Sequence, residues 1–232
     1  MGVLGGMGPL ATIDFMRKLL DATPATADQE HVPVLVSNIP QVPDRTAAFR
    51  GVGPSPLEAM VSSGRRLVAA GAEVLVVPCN TAHLWFDELQ DELRLPMLHL
   101  VDAAIEEVQS QIGSGGRVGI LGTDATLASG LYVNRRPSSG HQLTWLQPTA
   151  IEMLELVMPG IEAVKASKLQ QAATLLSQAA QALHRRGASV IMLACTEIPV
   201  VLGTESAGLP VIDATAALAR SAVRWSLGEH RT

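Results

Sequence analysis

The sequence predicts an α/β fold of two related halves, each a parallel sheet covered by helices on both faces. Three observations predict it. The 232-residue chain is 47% hydrophobic but only 3% aromatic, so its interior is built from Val, Leu, Ile, Ala and Met, as in buried parallel strands. Short apolar runs alternate with longer segments of helical periodicity. The second half also echoes the first at a nearly constant offset of about half the chain. Gly2-Val3-Leu4-Gly5 returns as Gly119-Ile120-Leu121-Gly122, Leu67, Gly71, Ala72 and Val74 as Leu183, Gly187, Ala188 and Val190, and Leu95-Pro96-Met97-Leu98 as Leu209-Pro210-Val211-Ile212.

Taken in order, the first half places strands near 2–5, 33–37 and 73–78 and helices near 9–22, 55–70 and 82–93. Pro9 suits the first helical turn, where its missing N–H costs nothing. The proline-rich stretch from Pro40 to Pro56 has no clean periodicity and reads as a long loop of the kind that hosts function. In the second half, strands are expected near 117–121, 142–146 and 189–194, with helices near 99–112, 124–131 and 164–186. A last strand at 210–213 precedes a helix that returns to the first half. The domains are therefore expected as 1–98 plus about 214–232, and 99–213.

A net charge of -5 with 17% charged residues leaves no basic stripe for a phosphate backbone, so nucleic acid is not an expected partner. No apolar run reaches the roughly 18 residues of a membrane span. Gly2 enters a strand pattern at once, without a basic region or cleavage site, so the expected location is the cytoplasm. There, two cysteines are expected to remain thiols.

The echo extends from Leu75-Val76-Val77-Pro78-Cys79 to Ile191-Met192-Leu193-Ala194-Cys195, so Cys79 and Cys195 occupy equivalent places. Each ends an apolar strand and precedes a helical segment, at the carboxyl edge where open α/β sheets bind ligands. A following helix N-terminus favours thiolate and lowers a cysteine pKa. Asn80-Thr81 and Thr196-Glu197 offer donors for an anion. A lone cysteine here also reads as a small buried hydrophobe, and a disulfide or metal site is a further alternative, though no ligand-spaced cluster surrounds either residue. Their symmetric placement favours chemistry. If the halves face each other across a pseudo-twofold cleft, one sulfur can take a proton from a substrate carbon while the other returns one to the opposite face. Charge developing on a substrate carboxylate needs preorganised donors.

Gly5-Gly6-Met7-Gly8-Pro9, Pro43-Asp44-Arg45-Thr46, Pro78-Cys79-Asn80-Thr81-Ala82-His83 and Cys195-Thr196-Glu197-Ile198-Pro199 together resemble the aspartate/glutamate racemase family over nearly the whole chain. Cys-Thr-Glu, where glutamate racemases have Cys-Thr-His, points to the aspartate branch. The resemblance implies two linked Rossmann-like domains, an active site in the cleft between them, a small amino-acid substrate, no cofactor or metal, and a homodimer. It implies Cys79 and Cys195 as the acid/base pair, and Asn80, Thr81 and Thr196, with backbone near Met7 and Thr123, as the α-carboxylate site. Arg45 and Lys165 would take the side-chain carboxylate. The first strand is expected to be short, because the chain begins a few residues later than the family pattern.

An Arg fork suits a dicarboxylate, yet Arg45 also reads as a solvated loop charge, and Lys165, at the start of an expected surface helix, as a solvated helical face. Glu197 is a candidate for orienting Thr196 or a substrate amine, or an ordinary first-turn acid. His83 is a candidate for tuning Cys79, or a satisfied structural histidine. Rivals of other kinds are a dinucleotide-binding oxidoreductase, from Gly6-Met7-Gly8-Pro9-Leu10-Ala11, a non-catalytic amino-acid binding module, and a hydantoin or broad-range racemase. The first lacks the acidic residue expected after the second strand, which ends in Ser37-Asn38.

Overall fold

Two parallel sheets of four strands each carry the alternation seen in the sequence. The computed structural model describes residues 1–113, 115–135 and 143–228. The chain divides into two compact units, one comprising Met1–Ala103 and the segment from Thr215 onward, the other Ala104–Ala214. In the first unit, β1 (Gly2–Gly5), β2 (Leu35–Asn38), β3 (Leu75–Val76) and β4 (Met97–Leu98) lie in the order β2-β1-β3-β4, all parallel. Around them run α1 (Pro9–Ala22), α2 (Arg45–Phe49), α3 (Leu57–Ala69), α4 (Phe86–Leu93) and α5 (Leu100–Ile112). Helix α1 opens on Pro9 and buries Ala11, Thr12, Phe15 and Leu19, one stripe of its surface.

The second unit repeats this plan with β5 (Arg117–Gly122), β6 (Thr144–Leu146), β7 (Val190–Ala194) and β8 (Val211–Asp213), ordered β6-β5-β7-β8 and parallel throughout. Its helices are α6 (Asp124–Ala128), α7 (Ala150–Glu152), α8 (Met158–Lys165), α9 (Leu169–Arg185) and α10 (Thr204–Ala207). After β8, α11 (Ala214–Ser226) carries the chain back into the first unit. Every residue of β7 is buried, as a strand covered on both faces requires. Leu176, Leu183, Ile191 and Ile161 anchor this unit's core, and Leu4, Met60, Leu75 and Leu89 the other. Burial of each such side chain contributes about 1.5–3 kcal/mol.

The sequence echo is a packing echo. A methyl group on Gly2 would lie 2.5 Å from Leu75, 2.9 Å from Ala72 and 3.3 Å from Leu67; on Gly119 it would lie 2.6 Å from Ile191, 3.1 Å from Ala188 and 3.1 Å from Leu183. These are the repeat's own equivalents, so each sheet's first strand needs glycine because a helix and the next strand press on it from the same positions. Helices α3 and α9 end alike. Gly71 and Gly187 adopt φ +95 and +94, and the N–H of Ala72 or Ala188 donates to the carbonyl of Leu67 or Leu183 at 3.0 or 3.1 Å, the Schellman arrangement that satisfies a helix's last carbonyls.

Several expected elements differ. Strand β3 stops at Val76 instead of 78, because Pro78 has no N–H for a ladder. The short strand β4 was not among the expected elements. The expected loop from 40 to 56 contains α2, which Asp44 caps by accepting the Ala47 N–H at 2.7 Å. Residues 150–165 form a helix with a π turn at Met153–Val157. Lys165 therefore ends α8 instead of beginning a helix, and α9 starts at Leu169 after Ser167 turns the chain with φ 59. Helix α6 ends at Ala128 instead of 131, and β6 begins at Thr144; residue 142 lies outside the described residues. No helix among the described residues is long and apolar enough to cross a membrane.

Candidate active site

In the first unit, the turn from β1 into α1 is fastened before any ligand arrives. Gly6 has φ +91, and a Cβ there would sit 2.3 Å from the Ile39 carbonyl oxygen, so only glycine fits. Its N–H donates to Thr12 Oγ1 at 2.9 Å, and that hydroxyl donates to the Gly8 carbonyl at 3.1 Å. The glycine pattern thus serves close packing, with one amide a pyrophosphate would use already engaged. Met7 is buried in the same apolar cluster as Val42, Cys79 and Ala82.

Beyond β3, the Cys79 N–H donates to the Val77 carbonyl at 2.8 Å, a three-residue turn that leads into a 3₁₀ helix, Thr81–Trp85. Cys79, Asn80 and Thr81 are all buried. Helix α2 packs on this 3₁₀ helix, which places Arg45, the first residue of α2, on the element beside the cysteine motif. Arg45 Nη1 donates to the carbonyls of Pro43 at 3.0 Å and Val42 at 3.3 Å. Its Nε is buried with no hydrogen-bond partner among the described residues. His83 reaches the backbone on both sides of its ring: its Nδ1 lies 2.8 Å from the Cys79 carbonyl oxygen, and its Nε2 accepts the Leu100 N–H at 3.1 Å.

In the second unit, Gly122 pairs with Ala194 across β5 and β7, so Thr123 and Cys195 leave adjacent strands at one sheet edge. Thr123 caps α6, accepting the Thr126 N–H at 3.2 Å. Cys195, Thr196 and Glu197 are all buried. The Cys195 thiol donates to Glu197 Oε2 at 3.1 Å, and the Thr196 hydroxyl lies 3.4 Å from the same oxygen. Burial first, and then the Glu197 carboxylate, push the Cys195 pKa well above its ordinary value, and the Lys165 charge opposes this. The expectation of a thiol acidified by a following helix is therefore corrected at Cys195. The next element along the chain is only a three-residue 3₁₀ turn, Ile198–Val200, and the Glu197 carboxylate lies 3.1 Å from the sulfur. Lys165 is exposed, at the C-terminal end of α8.

The sequence reading missed Tyr132, the chain's single tyrosine. It is fully buried, edge-on to Trp145 with ring centroids 5.8 Å apart. Burial and the charges of Asp213 and Cys195 push its phenol pKa well up, which makes it a neighbour of the Cys195 site. Its uniqueness was the only signal. Neither cysteine is in a disulfide, which removes the disulfide alternative. Among the described residues, no group of three or more His, Cys, Asp or Glu is placed to hold a metal.

Comparisons with known proteins extend these observations. The chain is 29% identical over 233 residues to a broad specificity amino-acid racemase of Bacillus subtilis, covering 96% of each. The fold superposes on an aspartate racemase of Picrophilus torridus with a TM-score of 0.85 and 32% identity, covering 98% of this chain and 94% of that one. A glutamate racemase of Deinococcus radiodurans is 29% identical over 203 residues, 84% of this chain and 62% of the relative. Two parallel-sheet units and these likenesses define the class: an amino-acid racemase, an isomerase. The profile of the Asp/Glu/Hydantoin racemase family matches residues 4–222, and the chain belongs to that family.

Proposed function

We propose that this chain racemises an amino acid, aspartate first among candidates, without a cofactor, using Cys79 and Cys195 on opposite faces of one substrate Cα. In one direction the Cys79 thiolate takes the Cα proton, the electron pair passes into the carboxylate, and the Cys195 thiol delivers its proton to the other face. Cys79 then carries the proton and Cys195 is the thiolate; the opposite enantiomer runs the sequence in reverse. The observation that carries this reading is the Cys195 to Glu197 hydrogen bond of 3.1 Å. A buried thiol whose pKa is raised by burial and a neighbouring carboxylate rests protonated and is ready to act as the acid. Asn80, Thr81, Thr123 and Thr196 are the donors assigned to the α-carboxylate, with the backbone at Met7.

Arg45 supports a dicarboxylate substrate. It is anchored by two backbone carbonyls and keeps a buried Nε without a partner among the described residues, a donor suited to an incoming carboxylate. Lys165 adds positive charge near Cys195. A broad substrate range is the second reading, favoured by the Bacillus subtilis relative that matches end to end. The test is chiral chromatography of a panel of L-amino acids with no cofactor added. Cys79→Ser and Cys195→Ser should each lower racemisation by about 10²–10⁴-fold while leaving Cα proton exchange from one enantiomer; full racemisation by either variant overturns the scheme. Arg45→Ala should weaken turnover of aspartate far more than that of a neutral amino acid, whereas equal losses favour the broad-range reading.

A further inference from the structure

We infer that His83 is a positioning residue for Cys79, acting on the backbone: a neutral imidazole that ties the Cys79 carbonyl to the first turn of α5 and so fixes the Cys79–Asn80 peptide. The inference rests on the reading of Cys79 as an acid/base residue.

The hydrogen bonds leave one protonation pattern. The Leu100 N–H can only donate, so the Nε2 atom 3.1 Å away carries the lone pair. The proton of the neutral ring is then on Nδ1, where it is donated to the Cys79 carbonyl at 2.8 Å. The ring is buried, stacked on Phe86 at 5.4 Å with an interplanar angle of 13°, and edge-on to His99 at 4.8 Å. A trans peptide is planar, with its C=O and N–H pointing in opposite directions. Holding the Cys79 carbonyl therefore also sets the direction of the Asn80 N–H, and because the Cys79 N–H is itself held by the Val77 carbonyl at 2.8 Å, the Cα that carries the side chain is fixed from both sides.

The other end of the clamp is equally specific. Leu100 opens α5, and its N–H is one of the first-turn donors that a helix cannot satisfy internally. Helix α5 also contains the Ala103–Ala104 boundary, where the chain passes from the first unit into the second. One imidazole thus links the cysteine turn to the start of the connecting helix. Position 199, four residues after Cys195, is proline and offers no such link.

Two substitutions separate the arms of the clamp. Asn at position 83 places an amide donor where Nδ1 lies and cannot reach Leu100, whereas Gln reaches Leu100 and abandons the Cys79 carbonyl. His83→Asn and His83→Gln should melt at similarly lowered temperatures, since each leaves one buried backbone group unpaired. His83→Asn should keep kcat within a few-fold of wild type, while His83→Gln loses about tenfold or more with little change in KM. In heavy water, the Gln variant should lose Cα proton exchange mainly from the enantiomer that Cys79 deprotonates. Equal kcat losses in the two variants, or equal slowing from both enantiomers, overturn the proposal. Nitrogen-15 NMR of the wild-type protein, where folding is not at issue, should find His83 protonated at Nδ1 only; a proton on Nε2 overturns it as well. If Cys79→Ser racemises normally, the parent reading falls and this one with it. An inactive Cys79→Ser beside indistinguishable His83 variants refutes only the clamp.

Discussion

The two cysteine turns sit at equivalent places in two sheets of the same topology, and their surroundings differ. At Cys79 the support is given to the backbone: Pro78 ends the ladder after Val76, and His83 holds the cysteine carbonyl. At Cys195 the strand runs on through Ala194, and support is given to the sulfur, whose thiol donates to Glu197. The scaffold of the repeat is preserved down to the contacts of Gly2 and Gly119, while the residues after each cysteine diverge. A duplicated fold supplies two like-placed thiols, and burial with the Glu197 carboxylate raises the proton affinity of Cys195; the proposed scheme calls for one acid and one base.

The largest expected effect on this contrast comes from Glu197→Gln, which keeps an acceptor for the Cys195 thiol and removes the charge. For the enantiomer deprotonated by Cys79, the alkaline limb of kcat/KM should move to lower pH, so activity above the shifted limb falls. Burial, the larger cause of the raised pKa, remains in this variant. An unmoved limb would show that the two cysteines are not differentiated by this carboxylate. Linkage gives the accompanying stability change. A thiol pKa raised by folding stabilises the native state fully below the unfolded value of about 8.5, and that contribution is lost as pH rises from there toward the folded value. Wild-type melting temperature should fall across this alkaline range, and less steeply in Glu197→Gln.

Next in size, Gly2→Ala and Gly119→Ala test whether the scaffold is as symmetric as the chemistry is not. Each places a methyl within 2.5–2.6 Å of the equivalent aliphatic side chain, and overpacking of this kind costs about 1–3 kcal/mol. Urea denaturation should return similar losses for the two, and a loss confined to one unit would break the equivalence. The smallest effect separates two surface ion pairs. Arg65–Glu92 in the first unit is well exposed, so Glu92→Gln should cost at most about 0.5 kcal/mol. Arg186–Glu152 in the second is less exposed, and Glu152 also closes a capping box with Thr149, so Glu152→Ala, which removes both interactions, should cost about 1 kcal/mol.

Much of this was legible in the chain. The offset repeat carried the two-sheet plan, because a glycine under a helix and a Gly-Ala helix exit are local requirements that leave fixed residue types. The cysteine motifs were legible for the same reason: a strand end is read from a few consecutive residues. Strand β4 and the helical run from 150 were not. A two-residue strand after Pro96 has too few residues to show a period, and the π turn at Met153–Val157 interrupts the 3.6-residue spacing on which helix recognition depends. Lys165 was misplaced because a turn at Ser167 separates two helices whose residue types read as one.

The sequence alone determined that Cys79 and Cys195 follow equivalent strands of the repeat, since backbone geometry along one strand is a local matter. Only the tertiary structure decided what each is bonded to. Glu197 folds back two residues onto the sulfur, His83 reaches back to a carbonyl and on to Leu100, and Tyr132 arrives from far along the chain. Proton affinity depends on burial and on charges a few ångströms away, and those distances exist only once the chain has closed on itself.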